Sequence, residues 1–143
     1  MKRILVASDG SKGGDRAVAL AAGLAAAIGG ELTIITVMDR AISDDLERFR
    51  RIEKIALDEL LETEAKALLE RARSIAAKNG VAKAKTLAEE GDAATAILAA
   101  AKAGKSDVVV VGKRGRGRLK GLLLGSTSQK LVSLANCSVV VVP

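Results

Sequence analysis

Two glycine-containing turns in the last third of the chain hold the residues best suited to chemistry. The first turn, residues 112–115 (Gly-Lys-Arg-Gly), directly follows an apolar run, and the second, residues 125–128 (Gly-Ser-Thr-Ser), opens a helical pattern. Glycines allow backbone amides to approach a ligand closely because no Cβ intervenes. Free N–H groups and hydroxyls at a helix start collect where the helix dipole is positive. This pattern predicts a site for a phosphate chain, and therefore for a nucleotide.

The net charge of +6 is concentrated around this glycine-rich segment. All 17 acidic residues lie between Asp9 and Asp107, and residues 1–107 also contain 17 lysines and arginines. The last 36 residues contain no acid and six cations: Lys113, Arg114, Arg116, Arg118, Lys120 and Lys130. A local positive field attracts an anionic ligand. Arg114 is the best placed of these cations for a phosphate contact, although residues 113–120 would equally form a solvated basic loop.

The composition disfavours several classes of protein. Phe49 is the one aromatic residue, so the chain lacks stacking platforms for single-stranded nucleic acid or for a flavin. Histidine, the commonest general base, is absent. The single cysteine, Cys137, cannot form an internal disulfide, and its apolar surroundings predict a structural role. No apolar run reaches the length of about 18 residues that a membrane span needs, so we expect a cytoplasmic protein.

Strands and helices alternate along the whole chain. Five β-rich runs are predicted, at residues 3–8, 32–37, 82–89, 107–111 and 137–142. Four helical patterns separate them, at residues 15–28, 44–78, 93–103 and 126–134. Asp92 is predicted to cap the third helix, and Gly29 to end the first. Such alternation implies right-handed βαβ crossovers, and we predict one α/β domain over residues 1–143, a three-layer sandwich whose five-stranded parallel sheet has helices on both faces.

The strand order decides where a ligand site would lie. Doubly wound sheets of five strands most often take the order 3-2-1-4-5 or 2-1-3-4-5, and we prefer the first. In that order a crevice forms where the first and fourth strands end. The turn at Asp9 and the turn at residues 112–115 would then line one cleft. Each turn is identified from its own residues, so their convergence supports both predictions.

The spacing Gly-x2-Gly-x9-Gly-Ser at residues 112–126 carries a family resemblance, together with residues 6–11 (Val-Ala-Ser-Asp-Gly-Ser) at the end of the first strand. Both segments are similar to the universal stress protein family, in its ATP-binding branch. The resemblance covers essentially the whole chain. It implies an adenine nucleotide α-hydrolase-like fold and ATP as the ligand.

The resemblance also implies roles for individual residues. Ala7 and Asp9 match positions that contact adenine and ribose, and Val37 matches the apolar position against the adenine ring. Gly112 and Gly115 match the loop that holds ribose and phosphate. The residues that match the phosphate-binding helix start are Gly125, Ser126, Thr127 and Ser128. ATP would bring Mg²⁺, held by phosphate oxygens and by the hydroxyl of Ser126 or Thr127.

Several of these residues also have a purely structural interpretation. Asp9 would cap the first helix or stabilise its turn, since aspartate is common at both places. Gly112 and Gly115 would allow a tight turn. Ser126 would be only the cap of the last helix. The sequence leaves these alternatives open.

The first functional hypothesis is an ATP-binding sensor or regulator of the stress response, in which bound ATP orders residues 116–124. The alternative is a slow ATP hydrolase, which the absence of histidine and of paired carboxylates near the phosphate end disfavours. A module that binds nucleic acid through residues 113–120 is less favoured, because the chain lacks aromatic residues. The apolar last strand, residues 137–142, would lie at the sheet edge and invite pairing. The resemblance implies a homodimer through this strand.

Overall fold

In the computed structural model, which describes residues 2–39, 50–115 and 124–143, strands and helices alternate as predicted. In chain order the elements are β1 (Arg3–Ala7), α1 (Lys12–Ile28), β2 (Glu31–Met38), α2 (Arg50–Lys78), β3 (Lys85–Glu90), α3 (Ala93–Ala103), β4 (Val108–Gly112), α4 (Ser126–Leu134) and β5 (Ser138–Val142). The start of the predicted second helix, residues 44–49, and most of the predicted nucleotide-ordered loop, residues 116–123, lie outside the described residues. No helix in the described part of the chain is long and apolar enough to cross a membrane.

The five strands form one parallel sheet in the order β3-β2-β1-β4-β5, which confirms the predicted order. The first strand lies at the centre, with Val6 opposite Ile34 of β2 on one side and opposite Val110 of β4 on the other. Because the strands are parallel, their carboxyl ends share one edge of the sheet. The turns that follow β1 and β4 are therefore neighbours.

Two aliphatic cores fill the space on either side of the sheet. Residues of α1 and α2 pack on one face, against the strand residues Ile4, Val6, Leu32, Ile34, Val108 and Val110. Residues of α3 and α4 pack on the other, against Leu5, Ile35, Val109 and Val111. Neighbouring strand residues thus point to opposite faces, and both faces are buried. This explains why the central strands are continuously apolar in sequence.

Two element boundaries differ from the prediction by three residues, and the other described boundaries agree to within one residue. Helix α1 begins at Lys12 rather than Asp15, because the Ser11 hydroxyl accepts a hydrogen bond from the N–H of Gly14 and caps an earlier turn. Strand β3 begins at Lys85, three residues later than predicted, since Lys85 is the first residue paired with β2. The predicted Asp92 cap of α3 and the glycine end of α1 at Gly29, which has φ 63°, are confirmed.

One buried hydroxyl in the core, that of Thr36, is unpaired. Thr36 is 1% exposed, and its hydroxyl has no hydrogen-bond partner among the described residues. A buried polar group without a partner costs desolvation energy that an apolar residue of the same shape avoids.

We expect Thr36→Val to raise the free energy of unfolding by about 1 kcal/mol in urea titration. Thr33→Val, at a half-buried position of the same strand, is the control and should change it less. Destabilisation by Thr36→Val would contradict this interpretation.

Candidate functional site

A cleft of about 100 Å³ opens at the carboxyl edge of the sheet, where β1 and β4 end side by side. It lies between the strand ends, the start of α3 and the start of α4. In open α/β sheets this crevice, where the strand order reverses, is the usual place for a ligand. Its lining residues are Ala7, Ser8, Asp9, Ser11, Gly14, Ile35, Val37, Ala93, Ile97, Val111, Gly112, Arg114, Gly115, Gly125, Thr127 and Ser128.

Nine of the ten predicted site residues line this cleft. They are Ala7, Asp9, Val37, Gly112, Arg114, Gly115, Gly125, Thr127 and Ser128. The tenth, Ser126, is exposed at the first position of α4 and is not part of the lining. The fold therefore brings together residues that are more than 100 positions apart in sequence. Their contact with a ligand stays a prediction.

One end of the cleft is apolar. Its strand residues lie on the face of the sheet that packs against α3 and α4, and residues of α3 cover them on that face. The residues of this end are Ala7, Ile35, Val37, Ala93, Ile97 and Val111. Sequence analysis identified Ala7 and Val37 but missed the other four. Ile35 was accessible from the period-two alternation of a strand, since it precedes Val37 by two positions. Nothing local to α3 indicates that Ala93 and Ile97 reach the same place.

Asp9 stabilises the turn that leads from β1 into the cleft. One carboxylate oxygen, Oδ1, accepts the N–H of Ser11 at 2.9 Å, as in an Asx turn. The other oxygen, Oδ2, lies against the Cα of Gly115 on the opposite side of the cleft. Ser11 is the cap of α1, so the alternative in which Asp9 caps this helix is wrong. The alternative in which Asp9 stabilises the turn is confirmed.

Lys113 connects the glycine loop to both the sheet and the last helix through its main chain. Its N–H donates to the carbonyl of Val142 at 2.6 Å, which joins the loop to β5. Its carbonyl accepts the N–H of Gly125 at 2.8 Å and the hydroxyl of Ser128 at 3.0 Å. Ser128 is 2% exposed, and its hydroxyl also lies 3.1 Å from the Gly125 carbonyl. Ser128 thus directs its proton at main-chain carbonyls and stabilises the loop.

Helix α4 starts at the mouth of the cleft without a side-chain cap. Gly125 is its N-cap residue, so the alternative in which Ser126 is the cap is wrong. By contrast, α1 and α3 are capped by the side chains of Ser11 and Asp92. The first turn of α4 contains no acidic residue. Uncapped N–H groups at the positive end of a helix dipole favour an anion.

The charged groups around the mouth are exposed. Lys130 of α4 lies 3.8 Å from Asp92 at the start of α3, and this surface pair contributes little to stability. The pKa of Asp92 is lowered, mainly because its carboxylate accepts hydrogen bonds from the hydroxyl and the N–H of Thr95. Arg114 is exposed at the rim. The predicted cations Arg116, Arg118 and Lys120 lie outside the described residues.

The strand order and the position of the cleft define a doubly wound α/β protein. The solved structures to which it is similar assign it the adenine nucleotide α-hydrolase-like fold. The model of the universal stress protein family matches residues 1–143, and the chain belongs to this family. The relative named "Universal stress protein in QAH/OAS sulfhydrylase 3'region" from Thermus aquaticus is 37% identical over 145 residues. That alignment covers 99% of this chain and 98% of the relative.

Two solved structures of the family have the same fold. The universal stress protein UspA from Lactobacillus plantarum superimposes with a TM-score of 0.81 at 25% identity, over 99% of this chain and 97% of its own. A universal stress protein solved in complex with cAMP superimposes with a TM-score of 0.76, also at 25% identity, over 99% and 95% of the two chains.

The hydrogen bonds of Ser128 give a prediction about stability. Ser128→Ala removes the hydroxyl that joins α4 to the Lys113 carbonyl, so we expect the free energy of unfolding to fall by about 1 kcal/mol. Urea denaturation measures this change. Ser126→Ala is the matched control, because Ser126 is exposed and is not the cap, and it should cost less than about 0.5 kcal/mol. Equal losses from the two variants would show that the buried hydroxyl has no special role.

Proposed function

We propose that this protein binds an adenine nucleotide in the cleft and acts as a nucleotide-dependent sensor or regulator in a stress response. ATP with Mg²⁺ is the expected form of the ligand. The observation that carries the proposal is the combination of chemical environments in one cleft. An apolar pocket, a single carboxylate and an uncapped helix start share this cleft, and they suit the adenine, the ribose and the phosphates of a nucleotide.

The apolar end suits the adenine ring. Val37 and Val111 belong to the strand face that lines this end, and Ile97 of α3 lies opposite them. A planar ring between aliphatic side chains buries apolar surface without needing an aromatic partner. Main-chain groups at the ends of β1 and β2 would provide the hydrogen bonds that select adenine.

The polar end suits ribose and phosphates. The Asp9 carboxylate accepts hydrogen bonds, so it fits ribose hydroxyls and repels phosphate oxygens. Phosphates would therefore lie farther along, against residues 112–115 and the start of α4. There the main-chain amides, the Thr127 hydroxyl and the Arg114 guanidinium are all donors. The universal stress protein solved with cAMP supports an adenine nucleotide as the ligand class.

The residues of the cleft favour binding over hydrolysis. Asp9 is the one acid among the lining residues, and its Oδ1 already accepts the Ser11 N–H. Among the described residues, no group of three histidine, cysteine, aspartate or glutamate side chains is placed to hold a metal ion. Mg²⁺ would therefore be bound by the phosphates, with the hydroxyl of Thr127 or Ser126 as an added ligand. Among the lining residues in the described part of the chain, Asp9 is the one candidate general base, and we place it against the ribose rather than the phosphates.

We expect adenine nucleotide to be released when the freshly purified protein is denatured, and mass spectrometry would identify it. Calorimetric titration with ATP, ADP, AMP and cAMP, with and without Mg²⁺, would rank the ligands. Gly115→Ala should weaken binding by about tenfold, or about 1.4 kcal/mol, because a Cβ there overlaps the Asp9 carboxylate. Gly23→Ala is the matched control, since nothing lies within 4 Å of its Cβ position on α1.

Three outcomes of this experiment would change the conclusion. No released nucleotide and no heat with any of the four ligands would overturn the proposal. Unchanged nucleotide affinity in Gly115→Ala would show that the nucleotide does not bind beside Asp9 and Gly115. Steady conversion of ATP to ADP by the wild type, lost in Asp9→Asn, would favour the hydrolase.

We further propose that the protein forms a homodimer through β5. This strand is at the sheet edge, and Val139, Val140 and Val141 are half-buried. The Val142 carbonyl faces the β4 side, where it accepts the Lys113 N–H. Because backbone groups alternate in direction along a strand, those of Val139 and Val141 face outward. An unpaired apolar edge is a template for a second strand, and a two-fold axis would pair two copies.

A proline at an outward position tests the dimer. Val139→Pro removes an N–H that faces away from β4, a place where an edge strand tolerates proline. We expect the wild type to be a dimer at micromolar concentration by size-exclusion chromatography with light scattering, and Val139→Pro to be a monomer. Val139→Ala keeps the N–H and should remain a dimer. A monomeric wild type, or a dimeric Val139→Pro protein, would contradict the proposal.

A further inference from the structure

One pair of glycines, Gly13 and Gly112, brings the loops on either side of the cleft into direct contact. A Cβ on Gly112 would lie 2.9 Å from the carbonyl carbon of Gly13 and 3.0 Å from its oxygen. In the other direction, a Cβ on Gly13 would lie 2.8 Å from the carbonyl oxygen of Arg114. The first turn of α1 therefore packs on the end of β4 and the glycine loop with no side chain between their backbones.

Space, rather than backbone conformation, requires glycine at positions 13 and 14. In the described part of the chain, the glycines with positive φ are Gly10, Gly29, Gly80 and Gly91. Gly13 and Gly14 are instead part of helix α1, where alanine is the better residue for helix formation. A helix that starts with two glycines is locally less stable than one that starts with alanine. Glycine is nevertheless required here, because the neighbouring atoms leave too little room for a methyl group.

The two glycines contact different parts of the cleft. Gly13 faces the glycine loop and the cap of its own helix: besides the Arg114 carbonyl, the Ser11 hydroxyl lies 3.8 Å from its Cβ position. Gly14 faces the turn after β1, since its Cβ position lies 3.0 Å from Oδ1 of Asp9 and 3.2 Å from the Ser8 hydroxyl. One glycine therefore limits the position of the loop, and the other limits the position of the carboxylate.

The contact of Gly13 extends to the start of α4 through hydrogen bonds. Arg114 follows Lys113, whose carbonyl accepts the Gly125 N–H and the Ser128 hydroxyl. A methyl group at position 13 would push the Arg114 carbonyl outward by a fraction of an ångström. The neighbouring Lys113 carbonyl, which accepts both hydrogen bonds, would move with it. The apolar end of the cleft is built on the opposite face of the sheet from α1, so it would not move.

We infer that Gly13 and Gly14 are positioning residues for two separate halves of the nucleotide site. Gly13 positions residues 113–115 and the helix start, which form the phosphate half, and Gly14 positions the Asp9 carboxylate of the ribose half. This inference rests on the proposed nucleotide function. Gly13 is outside the cleft lining and acts through Arg114.

The experiment compares titrations of Mg²⁺-ATP and of adenosine in four proteins: the wild type, Gly13→Ala, Gly14→Ala and Gly23→Ala. Gly13→Ala should lose about tenfold in ATP affinity while adenosine affinity stays within about twofold. Gly14→Ala should lose the same factor, about tenfold, for both ligands, because both contain the ribose. Gly23→Ala, which adds the same methyl group in open space, should change neither. A general loss of stability would not alter the ratio of the two affinities.

Each contrary result has a distinct meaning. If the wild type binds neither ligand, the proposed function and this inference both fail. If the wild type binds ATP, but Gly13→Ala is unchanged or loses ATP and adenosine equally, this inference alone fails. Thermal unfolding is recorded for every variant. A Gly13→Ala protein that no longer folds would also overturn the inference, since the contact would then support the whole fold rather than the phosphate half.

Discussion

The close packing of α1 against the end of β4 is the constraint on which the rest of the site depends. Parallel pairing of β1 with β4 makes the turns after these strands neighbours. Pairing alone does not bring their backbones into contact. That contact exists because Gly112 and Gly13 both lack a side chain where the two segments meet. The separation across the cleft is thus determined by main-chain atoms, which have little freedom to adjust.

The hydrogen bonds of Lys113 make the glycine loop a continuation of the sheet. One peptide joins it to β5, and the next joins it to the start of α4. A loop held at both points loses little conformational entropy when a ligand binds, so the donors of the phosphate half are preorganised. The buried Ser128 hydroxyl contributes to this rigidity. Ser128 therefore has a structural role in this loop whether or not it contacts a ligand.

Patterns that are local in sequence predicted most of the fold, and tertiary contacts decided the rest. The apolar run ending at Val111, the Asp92 cap and the Gly29 terminus each carry their own signal. The predicted first helix began at Asp15, after the two glycines at positions 13 and 14. Ser11 shows the reason for this error, since its cap stabilises a turn that propensity alone disfavours. Gly125 rather than Ser126 is the cap of α4, because its backbone is extended and its carbonyl accepts the N–H of Gln129. The contact of Ser126 with a ligand stays a prediction.

The distribution of charge explains why the site would depend on geometry more than on its basic residues. The exposed Lys130 is already paired with Asp92, and Arg114 is at the solvent-exposed rim, where charges are screened by salt. The amides at the start of α4 and in residues 112–115 keep their direction whatever the ionic strength. The carboxylate of Asp9 is oriented by the Ser11 N–H and by the close contact with Gly115, and in the proposed complex it would exclude phosphate from the nucleoside half. In the proposed complex, the orientation of the nucleotide would therefore follow from the fixed positions of one acid and a set of amides, and the surrounding positive charge would chiefly accelerate its arrival.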